Sequence, residues 1–311
     1  MKKSCFLVVL YLVALIVSSC DNKIAIQPAE VETGRLESSI FKGSGSFTYD
    51  DYAPLTNKPI EVFYHIPENA TSSTPILIVY HGTGRDGANN RNLLVQESNA
   101  FGFIVLVPEF SSQYFPGGDE YNLGNIFTDG DNPSTGSLNP EEEWAFSLVD
   151  PLFDYFTDNI KSSVEKYDIF GFSGGGQFAH RHFMFKPNDK YNRVIAASSG
   201  WYTVLDNTIN FPYGTKSSPI AITNYSSLLA KSLTILIGSS DNDPNSGGLR
   251  HNDWADAQGL HRLDRAYHFF NECQRVAIEQ DVAFSWGIQT LPNVGHSFDA
   301  TSSAAAVLLY K

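Results

Sequence analysis

The stretch YDIFGFSGGGQFAHRHF (residues 167–183) governs the reading of the whole chain. Its opening run is apolar, as expected of a strand buried on both faces, and its closing residues have helical spacing. Between them lies GFSGG, a serine flanked by Gly171 and Gly175. A serine on a sharp strand-to-helix turn projects its hydroxyl outward only where the residues two away lack bulky side chains. Two other glycine-rich turns fit less well. A phosphate-cradling loop would end in Gly-Lys-Ser/Thr, which is absent, and a dinucleotide loop would read G-x-G-x-x-G near the first strand of a βαβ unit. Ser173 is therefore read as a nucleophile, with the Gly174 amide open to a developing oxyanion.

Working outward, strands alternate with helices. PILIVYHG (75–82) and FIVLVPEF (103–110) are buried strands, with the helical RNLLVQESNAFG (91–102) between them. SFTYD and IEVFYHIP open the domain as strands. EEEWAFSLVDPLFDYFTDNI (141–160) reads as a helix bent or interrupted around Pro151. Strands follow at RVIAASSG, SLTILIGSS and AFSWGIQTL, with a long helix from about Trp254 to Ile278 and a last one running to Lys311. Such alternation predicts one α/β domain, a mostly parallel sheet with helices on both faces. Two connectors, 111–139 and 201–226, are too long for plain turns. Both follow strands, so they should emerge at the carboxyl edge of the sheet, where ligands bind.

A serine hydroxyl needs a base. His81 follows a strand and shapes a loop; His180 and His182 lie on the helix after Ser173; His65, His251, His261 and His268 fall in or beside other elements. His296, in LPNVGHSFDA (291–300), sits in a short loop between the last strand and the last helix, where it can reach across the sheet edge. The strand LTILIG ends in SSDND, making Asp241 the first choice for the acid that orients this base and Asp243 the second; both could instead be ordinary turn residues. The loop HGTGRDG (81–87) offers a second oxyanion donor, Thr83 before Gly84.

The chain order Ser173, Asp241, His296 and the segments YHGTG, GFSGG, LIGSSD and NVGHSF resemble the α/β-hydrolase superfamily, in particular its poly(3-hydroxybutyrate) depolymerase and feruloyl-esterase-like group. That resemblance implies a single-domain α/β-hydrolase fold over residues 45–311. It also implies ester hydrolysis through an acyl-enzyme without a metal or organic cofactor. Ser173 would be the nucleophile, His296 the base and Asp241 the acid, with Thr83 and Gly174 forming the oxyanion hole. So little chain follows His296 that a small-molecule or oligosaccharide ester is expected as substrate before a crystalline polyester. Tyr114, Tyr121, Asn125 and Trp201 lie on the long connectors and are candidate substrate contacts, although aromatics that pin their own loops fit equally well. A peptidase of the same fold, or a glycan-binding lipoprotein without catalysis, are the rival readings.

The remaining signals concern compartment and partners. MKKSCFLVVLYLVALIVSSC pairs a basic start with a short apolar run and small residues. It reads as an export signal over 1–19 rather than a membrane span. VSSC resembles a bacterial lipobox, which implies fatty acyl chains such as palmitate on Cys20, a tether over 20–44, and a protein anchored in a membrane of the cell envelope. With the leader gone Cys273 is the only other cysteine, expected to be packed in the core, so no disulfide within the chain can form. The formal charge is −13, which repels phosphate backbones and argues against nucleic acid. DGDNPSTG (129–136) loosely resembles a calcium loop, but a solvated turn is preferred. Arg262 and Arg265 are expected as surface ion-pairing residues.

Overall fold

The computed structural model describes residues 42–311. The expected leader, Cys20 and all but the end of the tether lie outside them. In chain order the elements are β1 (Gly43–Tyr49), β2 (Ile60–Ile66), β3 (Ile76–Tyr80), α1 (Gly87–Leu93), α2 (Val95–Phe101), β4 (Ile104–Glu109), α3 (Val149–Ile160), β5 (Tyr167–Phe172) and α4 (Gly174–Phe185). There follow β6 (Tyr191–Ala197), α5 (Tyr225–Leu229), β7 (Leu233–Gly238), α6 (Asp253–Asp256), α7 (Arg262–Glu279), β8 (Trp286–Leu291) and α8 (Phe298–Tyr310).

The strands form one eight-stranded sheet in the order β1-β2-β4-β3-β5-β6-β7-β8. β1 and β2 pair antiparallel at one edge, and β4 through β8 run parallel. Alternation along β3 shows why a continuous apolar run is needed. Ile76, Ile78 and Tyr80 face a core shared with Phe153 of α3, Phe178 of α4 and Phe269 of α7. Leu77 and Val79 face the opposite layer, with Leu94 and the Ala305, Ala306 and Leu309 face of α8. Side chains of successive strand residues point to opposite faces, so a strand covered on both sides must be apolar at every position. Cys273 is buried in the first of these cores, and burial pushes its thiol up to about 12.

Two local departures from expectation have clear causes. Residues 141–148 form short 3-10 turns, and α3 starts only at Val149, so that Pro151 falls in the first helical turn. A missing N–H is harmless there. The helix expected over 254–278 is split into α6 and α7. Gly259 has φ 136°, and a Cβ on it would stand 2.4 Å from Asp264 Cβ. His261 then caps α7, its Nδ1 accepting from the Asp264 amide at 3.2 Å.

Arg262 and Arg265 are not surface residues: both are buried, at 3% and 0% exposure. Arg265 donates to the carbonyls of Gly259, Gly200 and Arg250 and to the Asp256 carboxylate, at 2.7–2.9 Å. Its planar fork of donors fastens the segment after β6 to α6 and α7.

Helix α4 is buried at every one of its 12 residues. His180 is accommodated as a neutral ring. His180 donates from Nδ1 to the Gly176 carbonyl and accepts the Thr203 amide at Nε2, and burial holds its pKa well below the usual histidine value. His182 lies between the Tyr80 hydroxyl and the Asp189 carboxylate.

Candidate active site

The turn that carries Ser173 is built by steric exclusion. Ser173 has φ 57° and ψ −115°, a left-handed backbone that costs a non-glycine residue about 1–3 kcal/mol. Its amide donates to Ala197 O at 2.9 Å and its carbonyl accepts the Gln177 amide at 3.0 Å, so the turn is locked to β6 and to the first turn of α4. A Cβ on Gly171 would stand 2.1 Å from Gly175 O. One on Gly175 would stand 2.0 Å from Tyr80 O, and one on Gly176 2.5 Å from Ala197 O. These glycines let β5, α4 and their neighbours close around the serine. Although Ser173 occupies the N-cap position, its hydroxyl makes no capping bond. It points instead to His296.

His296 Nε2 lies 3.1 Å from Ser173 Oγ, and its Nδ1 lies 2.8 Å from Asp241 Oδ2. The carboxylate can only accept, so Nδ1 carries the proton and Nε2 is left to receive one from the serine. The imidazole packs against Phe172, ring centroids 4.6 Å apart. The loops that carry Asp241 and His296 are joined by hydrogen bonds: Ser239 N donates to Leu291 O, Ser240 N to Val294 O, and Asn293 N to Ser239 Oγ, at 2.8–2.9 Å. Asp241 is buried at 4% exposure, with Arg262 Nη1 3.5 Å from its other oxygen. Asp243 is exposed and spends its carboxylate on the Asn245 amide.

The Thr83 amide lies 3.2 Å from where a Cβ on Gly174 would be, whereas Gly84 has nothing within 4 Å of the equivalent point. Thr83 and Gly174 thus face each other beside Ser173. The loop that carries Thr83 is braced from beneath. His81, fully buried, donates from Nδ1 to Gly82 O at 2.9 Å and accepts the Phe110 amide at Nε2 at 3.0 Å. Burial pushes its pKa down to about 4, so the ring is neutral as this pairing requires. Arg85 donates to the carbonyls of Phe110 and Gly117 and lies 4.2 Å over the Tyr121 ring.

The expected substrate contacts fare differently. Tyr121 is fully buried, stacked on His81 with its hydroxyl donating to His81 O at 2.6 Å, so it supports the loop and cannot meet a ligand. Asn125 adopts a left-handed φ of 57° and spends its side-chain amide on Glu143 O, tying its turn to residues 141–143. Tyr114 is half-buried against the core. Trp201, at 4% exposure, is packed against the guanidiniums of Arg181 and Arg250, 4.2 and 4.8 Å from its ring. Sequence reasoning passed over Asn122, between two residues it weighed. The Asn122 amide nitrogen is 3.2 Å from the Cβ point of Gly174 and donates to Gln177 Oε1. Nothing local in the sequence marks it, because its position depends on Arg181 of α4 holding its carbonyl at 2.9 Å.

In the acidic segment 129–136, Asp129 caps the Asn132 amide and Asp131 is engaged by Arg250. Among the described residues no group of three or more His, Cys, Asp or Glu side chains is placed to hold a metal ion.

Comparison with solved structures finds relatives of the same fold. Poly(aspartic acid) hydrolase-1 from Sphingomonas sp. KT-1 is 37% identical, with a TM-score of 0.81 over 87% of this chain and 99% of that one. This chain belongs to the α/β-hydrolase family. A poly(3-hydroxybutyrate) depolymerase from Bordetella parapertussis is 30% identical over 86% of this α/β-hydrolase and 89% of its own length, with a TM-score of 0.80. An S-formylglutathione hydrolase from Agrobacterium tumefaciens, 13% identical over 88% of this chain and 95% of its own with a TM-score of 0.54, shares the fold. No protein-family model and no curated protein matches the chain. Membership makes it an enzyme of the hydrolase kind.

Proposed function

We propose that this α/β-hydrolase is a serine esterase that cleaves carboxylic esters through an acyl-enzyme, with Ser173 as nucleophile, His296 as base and Asp241 as orienting acid. The observation that carries this reading is the unbroken relay from Ser173 Oγ through the imidazole to the buried Asp241 carboxylate. His296 Nε2 takes the hydroxyl proton as Oγ attacks the ester carbon. The carbonyl oxygen, now an anion, receives the Thr83 and Gly174 amides. Asp241 stays ionised and holds the imidazolium in place. As the tetrahedral centre collapses, Nε2 returns the proton to the departing alcohol, and water then repeats the sequence to release the acid. Hydrolysis of p-nitrophenyl acetate by the purified chain, together with covalent labelling of Ser173 by a fluorophosphonate, tests the reading. An unlabelled serine in an active preparation would reject it.

One observation favours a second reading, cleavage of an amide. The 37% identical relative is named for poly(aspartic acid). The same relay serves either bond, and the ratio of ester to amide turnover on matched aspartyl substrates separates them.

We also propose that Cys20 carries the lipid that holds the enzyme at the cell envelope, a reading supported by VSSC after the apolar run. Incorporation of labelled palmitate that disappears in Cys20→Ala is the expected result.

A further inference from the structure

We propose that the cleft beside Trp254 binds the neutral, hydroxyl-rich glycan chain to which the scissile ester is attached; this rests on the esterase reading above and names its substrate class. Position is the first argument. Arg181 holds the Asn122 carbonyl, the Asn122 side chain lies beside Gly174, and the guanidiniums of Arg181 and Arg250 both pack on the Trp201 ring. The cleft that Arg250 lines is therefore linked to the Gly174 turn through Trp201, Arg181 and Asn122. Its volume is about 670 Å³, within the range of small-molecule sites. Across Pro133 and Ser217 it continues into a second cleft of about 340 Å³, which suits an extended chain better than a compact ligand.

The lining is the second argument. Trp254 is 52% exposed, and its ring lies nearly parallel to Tyr213, at 21°, which packs in turn against Trp201 in a tilted contact, at 38°. A flat indole supported from behind and open in front accepts the C–H face of a sugar ring. The hydrogen-bonding groups lie at its edge. Tyr213 Oη accepts from Asn252 Nδ2 at 2.6 Å and from Arg250 Nη1 at 3.2 Å, which leaves its O–H free to donate into the cleft. Asn132 and Asn210 add exposed amides, which both donate and accept, as hydroxyls do.

Charge decides against an anionic polymer. Asp131 occupies Arg250 through both carboxylate oxygens, at 2.5 and 2.9 Å. His251 is held between the Asp256 carboxylate and the Pro244 carbonyl, and Arg181 is fully buried. Of the acids in this segment Asp131 lines the cleft, and it belongs to a larger acidic group: burial followed by the charges of Asp131, Glu120 and Asp129 pushes Asp119 up to about 6. A chain of carboxylates would meet acids whose nearby cations are already taken; a neutral polyol would not.

The test uses full-length Ser173→Ala protein titrated with xylohexaose, cellohexaose and poly(aspartic acid) by calorimetry. A neutral hexaose is expected to bind, with affinity about tenfold weaker after Trp254→Ala and largely kept in Trp254→Phe. In the active enzyme, Trp254→Ala should lower about tenfold the ratio of kcat/KM on an acetylated xylo-oligosaccharide to that on p-nitrophenyl acetate. Absence of hexaose binding, an unchanged ratio, or tighter binding of poly(aspartic acid) that weakens in Arg250→Gln would each overturn the proposal. Because the binding measurement needs no turnover, an enzyme inert on every ester would sink the esterase reading alone.

Discussion

The Ser173 turn and the cleft wall are held by different means. Around Ser173 the backbone does the work. Gly171, Gly175 and Gly176 admit no side chain, the turn is bonded to β6, and α4 is buried on all sides. Along the cleft, side chains do it: the Asp131–Arg250 pair, the Arg181–Trp201–Arg250 stack and the contact between the Phe127 and Phe211 rings hold segments far apart in sequence. The difference separates two tasks. Chemistry needs positions fixed to within a fraction of an ångström, which close-packed backbone provides, whereas substrate choice can rest on contacts that change one residue at a time.

That contrast can be broken experimentally. Ser173→Ala should lower kcat/KM by about 10⁴-fold or more with no change in the unfolding midpoint. Retained activity in a folded variant would move the chemistry elsewhere. Asp241→Asn should lose about 10⁴-fold, because the imidazole no longer holds the working tautomer. Asp243→Asn, a surface change, should stay within about a factor of two, and the reverse ranking would reassign the acid. Gly175→Ala should destabilise the fold by about 4 kcal/mol in urea titration, since its Cβ meets the Tyr80 carbonyl rather than a flexible side chain.

Acid should affect the braced oxyanion loop next. His81 is held down to about 4, while the unfolded chain takes up that proton near 6.5. Between these values the unfolded state binds more protons, so stability falls as pH drops through the window, by about 3 kcal/mol from this ring alone. Asp119 opposes it. Its raised pKa means the folded state takes up a proton before the unfolded one does, so this carboxyl contributes stability as pH falls below about 6. Urea titrations between pH 7 and pH 4 in an Asp119→Asn background should therefore show the steeper acid loss. The smallest effect belongs to the wall. Arg250→Gln should cost about 1 kcal/mol or less, because the pair it breaks is partly exposed. A larger loss would mean the wall is as rigid as the turn.

The sequence exposed the first region far better than the second. A continuous apolar run, a glycine-bounded serine and the order Ser173, Asp241, His296 are local signals, since strand, turn and helix each follow from neighbours in the chain. What it hid depends on long-range contacts. Arg262 and Arg265 looked like solvated helix residues because nothing nearby announces that α7 packs its first turn against the Asp241 loop. Tyr121 and Asn125 attracted notice as exposed polar or aromatic loop residues, yet one supports His81 and the other shapes a turn. Asn122, between them, reaches Gly174 only because Arg181 of a distant helix holds it. The break before α7 was hidden because apolar spacing persists through Gly259.

The complete burial of α4 has a consequence for the electrostatics of the reaction. A helix in water has its terminal partial charges dampened by solvent, whereas one sheathed in protein along its whole length keeps them. The positive end of α4 falls at Gly174, where the substrate oxygen would turn negative. Part of the stabilisation there would come from twelve aligned peptide units rather than from any side chain, so no single point substitution could remove it.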